Sequence, residues 1–191
     1  MAAYTPPMTA EAILTARLVL PLLTVARLER VLAGDHAAVE SEIGLWLPAW
    51  WREDMAWLMR VRLRQIGENP AAEPWLLRPI GLRDGPAEAI GLFNFHGPPD
   101  DRGFAEVGYE IRSEHRGRGY AREAVRGMFD WAAAHHGVRR FRAAIAPDNE
   151  RSVNLVRKLG MTRVGAQWDE SDGLELLWTV EDWPTSPPAG P

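Results

Sequence analysis

Phe104-Ala105-Glu106-Val107-Gly108-Tyr109-Glu110-Ile111, followed through Arg112 to His115 by Arg116-Gly117-Arg118-Gly119-Tyr120-Ala121, is the stretch whose reading decides the fold. The first eight residues have the composition of a strand. The second block opens a segment, Tyr120 to His136, in which Ala121, Ala124, Val125, Met128 and Ala132 recur at spacings of three and four, the mark of an amphipathic helix. A strand feeding a glycine-bearing turn at a helix N-terminus gathers free backbone N–H groups at the positive end of the helix dipole. Such a place attracts phosphate or pyrophosphate, and glycine lets the ligand approach the backbone closely. Arg112, Arg116, Arg118, Arg122 and Arg126 against Glu114 and Glu123 make the window locally basic in a chain of formal net charge −4. A plainer reading stays open, in which Gly117 and Gly119 shape a tight turn and the arginines form a solvated face.

Outward from this segment, the pattern predicts the order βααβββαβαββ. Arg17 to Leu23 is an apolar run suited to a strand, Val25 to Leu32 a helix stopped at Gly34, and Trp50 to Ile66 a second helix ended by Gly67 and Pro70. Trp75 to Leu82 and Ala89 to His96 are strands joined through Asp84, Gly85 and Pro86, which are turn residues, and Phe104 to Arg112 follows as their neighbour. Val138 to Ala146 returns as a strand, Arg151 to Leu159 as a short helix before Gly160, and Met161 to Trp168 and Gly173 to Val180 as the last strands. The expected class is α/β (α+β), a mixed central sheet with helices on both faces. One domain over 13–181 is expected, with loose ends at 1–12 and a proline-rich 182–191.

Composition narrows the function. With 46% hydrophobic and 25% charged residues the chain is globular, and its negative charge argues against general binding to nucleic acid or to an anionic membrane. The absence of cysteine removes disulfides, thiolate-ligated zinc and a thiol nucleophile. His36, His96, His115, His135 and His136 form no metal-ligand spacing, so no metal is expected. No signal pattern or apolar run of spanning length is present, and a cytoplasmic protein is the default expectation. A Rossmann glycine pattern would need its third glycine at Arg122, and no Gly-Lys-Ser/Thr occurs, so hydride transfer and nucleotide hydrolysis drop out.

Arg116-x-x-Gly119-x-Ala121 resembles the Arg/Gln-x-x-Gly-x-Gly/Ala signature of GNAT N-acetyltransferases. Asn149-Glu150-Arg151-Ser152, leading to Lys158-Leu159-Gly160-Met161, and the opening Leu14 to Leu20 are similar to the ribosomal-protein N-terminal-alanine (Rim-type) branch. The resemblance implies a GNAT fold with acetyl-CoA at a splayed central strand. The amides of Arg116, Gly117, Arg118, Gly119, Tyr120, Ala121 and Arg122 would surround the pyrophosphate, and the edge of Tyr109, Glu110 and Ile111 would pair with pantetheine like an extra strand. An N–H near Ile111 would face the thioester oxygen.

Amine acetylation requires a neutral amine, and an alkyl amine with a reference pKa of ~10 is mostly protonated at neutral pH. The resemblance makes Glu106 the base, acting directly or through a water, with Glu110 on the same strand face in reserve. The tyrosine that many relatives carry seven residues after the asparagine is Val156 here. The Rim-type likeness substitutes Ser152 as proton donor to the departing thiolate, with Asn149 bonding pantetheine. Plainer roles remain open: Glu106 as a solvent-facing strand residue, Asn149 as a helix cap. One or two of Trp46, Trp50, Trp51 and Trp57 are expected to border the acceptor. The acceptor is an amine on a peptide N-terminus or a small molecule. A homodimer is left open, and a non-catalytic CoA-binding module is the alternative function.

Overall fold

The computed structural model describes residues 12–184. It contains the strands β1 (Ile13–Leu14), β2 (Leu18–Leu20), β3 (Arg78–Leu82), β4 (Ala89–Phe95), β5 (Phe104–Ile111), β6 (Arg140–Ile145), β7 (Thr162–Asp169) and β8 (Gly173–Val180). The helices are α1 (Val25–Leu32), α2 (His36–Ile43), α3 (Ala49–Arg52), α4 (Ala56–Glu68), α5 (Tyr120–His136) and α6 (Glu150–Lys158). One eight-stranded sheet runs in the order β1-β2-β3-β4-β5-β6-β8-β7. All its pairings are antiparallel except β5 with β6.

The expected order of elements holds, with two additions and a division among the early helices. The helix expected over Trp50 to Ile66 is two, α3 and α4, separated by a turn at Glu53 to Met55, with Trp51 of the first and Met59 of the second both fully buried. Helix α2 has no counterpart in the sequence reading, since Val39 and Ile43 are its only buried residues and the remaining face is polar or alanine. Trp75, expected to open a strand running to Leu82, instead closes a 3-10 turn over Pro70–Trp75, and β3 begins at Arg78. Pro70 and Pro74 lack the N–H a strand ladder needs, and Asn69 caps the turn by accepting from Ala71 N–H.

Two apolar clusters sandwich the sheet. One packs α5 and α6 on one face, with Phe93, Phe95, Ala105, Val107, Ile111 and Phe141 beneath Val125, Met128 and Phe129. The rings of Phe129 and Phe141 stack at 3.8 Å between centroids. The other cluster packs α1, α2 and α4 over Val19, Leu77 and Leu92. The expected loose ends fall outside the described residues for 1–11 and 185–191. Trp183, assigned to the loose tail, is buried: its N–H donates to Arg139 and its ring nitrogen donates to Asp130 at 2.8 Å.

Candidate active site

The sheet opens beside β5. Phe104, Ala105 and Glu106 pair with Arg140, Phe141 and Arg142 of β6, and the pairing ends there although both strands continue. On its other side β5 stays paired with β4 through Ile111. His96 N–H donates to the Glu106 carbonyl at 2.8 Å, and Arg112 N–H donates to the Ile90 carbonyl at 3.0 Å. By the alternation of an antiparallel ladder, the even-numbered peptides of β5 face β4. Those of Val107, Tyr109 and Ile111 therefore turn toward the opening. The Ile111 carbonyl is taken by the Arg116 guanidinium at 2.7 Å, which leaves its N–H.

At the end of this open edge stands the N-terminus of α5. Its cap is Gly119, at φ 81°, with no side-chain hydrogen bond, and Gly117 has φ 78°. Both conformations favour glycine. Without a capping side chain, the first-turn N–H groups and the positive end of a 17-residue helix face outward together. The turn is braced from behind by Arg17, whose guanidinium donates to the Arg118 carbonyl at 3.1 Å and lies over the Tyr120 ring at 4.7 Å. Glu123 binds Arg17 through its N–H and guanidinium, and also accepts from the Thr15 hydroxyl at 2.6 Å. Burial pushes the Glu123 carboxyl up, but the Thr15 and Arg17 bonds outweigh it and hold it below the usual range. Arg17 was read from the sequence only as part of a strand opening. Its bracing role depends on a contact more than a hundred positions away.

Across the opening, α6 begins at Asn149, whose side chain accepts from the Ser152 N–H at 3.2 Å and caps the helix. The Tyr109 hydroxyl is buried beside Ser152, whose side chain is its nearest hydrogen-bonding neighbour although the two do not reach good hydrogen-bond geometry. Burial raises the Tyr109 phenol, and Ser152 opposes the shift. Tyr109 and Ser152 therefore meet from opposite walls.

On the opposite face of β5, the register places Leu92 against Glu110, Asn94 against Gly108, and, one rung on, His96 beside Glu106. Glu106 is not a free carboxylate. Arg142 approaches Oε2 with Nε and Nη2, both at 2.7 Å, and His96 Nδ1 stands 3.2 Å from Oε1. Asp100 holds the far side of Arg142 at 3.3 Å. Burial alone would raise Glu106, yet the hydrogen bond and charge of His96, with Arg142, hold it below the usual range. Glu110, the reserve candidate, lies 3.7 Å from Arg112. Of the tryptophans, Trp51 is buried and donates to the Gly91 carbonyl, Trp50 lies under Arg112 at 4.9 Å, and Trp46 and Trp57 are exposed. The sequence reading did not foresee His96 and Arg142 as the partners of Glu106, because both reach it through the register of neighbouring strands, which no single segment states. Among the described residues no group of His, Asp and Glu could hold a metal ion, and no helix is long and apolar enough to cross a membrane.

A strand with one bare edge running into a glycine-capped helix suits a long ligand with amides along its length and phosphates at its end. Coenzyme A has that form, so the class the site defines is an acyltransferase working from a CoA thioester. The model of the acetyltransferase (GNAT) domain family matches residues 17–162, and the chain belongs to that family. It is an N-acetyltransferase with acetyl-CoA as donor. Over 150 residues it is 26% identical to the uncharacterized N-acetyltransferase YjdG of Bacillus subtilis, covering 76% of this chain and 86% of that one. Among solved structures, the ribosomal-protein-S5-alanine acetyltransferase of Vibrio fischeri superposes with a TM-score of 0.63 at 18% identity, covering 92% of this chain and 99% of that one. The ribosomal L7/L12 α-N-protein acetyltransferase RimL, solved with coenzyme A, gives 0.63 at 14% identity over 92% and 99%. At these identities the likeness to solved structures is one of fold, and it includes the Rim-type branch suggested by the Asn149 to Met161 segment.

Proposed function

We propose that the protein transfers an acetyl group to a primary amine, on a peptide N-terminus or a small molecule, by direct attack in a ternary complex. The observation that carries this reading is the opening of β5 beyond Glu106 into the uncapped start of α5. The peptide groups of Val107, Tyr109 and Ile111 would hold the pantetheine arm, and the amides of Gly117 to Arg122 the pyrophosphate, with Arg116 and Arg118 contributing charge. Bound acetyl-CoA supplies an activated acyl group: the amine nitrogen bonds to the acyl carbon, the carbon–sulfur bond breaks and the thiol departs. Deprotonation of the amine depends on Glu106, and Ser152, backed by the unpaired hydroxyl of Tyr109, is the proton donor on the opposite wall. Asn149 caps α6 with its side-chain oxygen and keeps its amide nitrogen for the pantetheine. The catalytic unit is one GNAT domain, expected over 13–181 and extended by the burial of Trp183 to at least that residue.

The test is thiol release when acetyl-CoA is incubated with a panel of N-terminal peptides and small amines. The reading expects turnover on at least one class. Acetyl-CoA binding measured by calorimetry with no turnover across the panel would instead favour a non-catalytic CoA-binding module.

A further inference from the structure

The two edges of the sheet are finished differently. Edge strand β1 is two residues long, Ile13–Leu14, whereas β7 at the other edge runs for eight, Thr162–Asp169. Strand β7 pairs with β8 on one side, and among the described residues it makes no backbone hydrogen bond to any other element. An open strand of this length is a template for another strand. It carries neither lysine nor proline to discourage one, and its single irregularity, between Arg163 and Gly165, leaves residues 165–169 in unbroken register with β8.

The side chains at this edge are open as well. Trp168 is 76% exposed, and Leu174, which stands opposite it on β8, is 48% exposed. Directly opposed residues of an antiparallel pair share a sheet face. Register therefore sets Arg163, Ala166 and Trp168 on the face of Trp178, Leu176 and Leu174. Helix α6 covers one end of this row. Arg157 lies over the buried Trp178 ring at 5.3 Å, Leu176 is half-buried beside a groove that Val153 and Arg157 also line, and Leu174 and Trp168 are left uncovered. Charge is divided along the strand. Arg163 stands near its start, and Asp169 at its end is followed by Glu170 and Asp172 in the turn. Asp169 uses one oxygen, Oδ1, to accept from the Ser171 and Asp172 N–H groups.

We infer that β7 is a self-association edge, on which a second copy of this chain adds its own β7 antiparallel about a two-fold axis at Ala166, joining two eight-stranded sheets into one. Three features fit the strand to a copy of itself. Antiparallel addition lays the basic start of each strand toward the acidic end of the other, Arg163 toward the partner's Asp169, whereas parallel addition would set like charges side by side. The small residues Gly165 and Ala166 fall at the axis, where each position meets its own copy and bulk would collide. Trp168, two positions on, then stands diagonal to the partner's Ala166, a separation that an aromatic side chain spans, and on the same face as the partner's Arg163, whose guanidinium suits the face of an indole. The exposed indole gains cover, and the alanine makes room for it. One strand pair is a smaller contact than the ~1,600 Å² of a standard interface, so the dimer should form reversibly at micromolar concentration. The opening beside β5 is left clear, because β6 and β8 lie between it and the pairing edge.

The test is sedimentation of the full chain between about 1 and 200 µM, where the wild type should pass from monomer to dimer. Trp168→Lys charges the edge at a position already exposed, and should remain monomeric across that range with its unfolding temperature and acetyl-CoA affinity unchanged. Arg163→Glu, which sets like charges against the partner's Asp169, should also weaken the dimer. Because the chain has no cysteine, Ala166→Cys supplies a single thiol. Opposed Cα atoms of an antiparallel pair lie ~4.5–5.5 Å apart, within the reach of a disulfide, so mild oxidation should link two copies of Ala166→Cys. Glu68→Cys, exposed on α4, should stay unlinked at the same concentration. A wild type that remains monomeric at the highest concentration would overturn the inference, including one whose β7 amides resist hydrogen exchange because another part of the same chain covers them. So would a dimer that survives Trp168→Lys, or a wild-type dimer whose Ala166→Cys variant links no faster than Glu68→Cys.

Discussion

Helices α5 and α6 both begin at the opening in the sheet, and they begin differently. Helix α6 satisfies itself: Asn149 accepts from the Ser152 N–H across its first turn. Helix α5 starts from a left-handed glycine with no side-chain cap. Helices α1 to α4 also start without a side-chain cap, so what sets α5 apart is its place at the end of the open strand and the left-handed glycines before it. In the proposed reading α6 closes one wall of the site and α5 keeps its first-turn amides for the pyrophosphate.

The largest effect that would sharpen this comparison is at the bare end. Gly119→Asp should weaken acetyl-CoA binding by more than about tenfold, equivalent to ~1.4 kcal/mol, because a carboxylate would stand where the pyrophosphate is received. The new Cβ would meet only Arg17 Nη2, at 3.5 Å, but φ 81° strains any side chain there, so affinity is read by calorimetry on protein whose unfolding transition shows it folded, and Gly119→Asn, with the same strain and no charge, should bind more tightly than Gly119→Asp. Next is the brace behind that end. Glu123→Gln breaks a set of charge-assisted bonds to Thr15 and Arg17 and should cost about 1–3 kcal/mol in denaturant unfolding at neutral pH. The folded-state pKa of Glu123 is depressed, so its contribution is present above the unfolded carboxyl value of ~4.3 and is lost as pH falls through the lower folded value. The acid limb of stability should therefore be shallower in Glu123→Gln than in wild type. The smallest effect is at the capped end: Asn149→Ala should lower stability by about 1 kcal/mol while leaving pyrophosphate binding in place. A Gly119→Asp protein that binds normally, beside an Asn149→Ala protein that does not, would reverse the roles assigned to the two helices.

How much of this was legible in the sequence follows from the range of the interactions. Helix α5 and strand β8 were read to their observed ends, because apolar periodicity, alternation and flanking glycines act locally. The glycine turn was legible for the same reason. Helix α2 was not, since two buried residues give little periodicity. The function of Arg17 and the constellation of His96, Glu106 and Arg142 depend on register between strands, which no single segment encodes. Glu106 was found as a residue, but its environment was not: its partners come from β4 and β6, and they turn a free carboxylate into a paired one.

Amide hydrogen exchange with and without acetyl-CoA tests the central claim most directly, because it reads the two helix starts and the open strand in one experiment. Acetyl-CoA should slow exchange at the first-turn amides of α5, Tyr120 to Arg122, and at Val107, Tyr109 and Ile111 on the bare edge of β5. The Ser152 amide, already bonded to Asn149, should change little. Unchanged exchange at α5 and β5 under saturating acetyl-CoA would contradict the account.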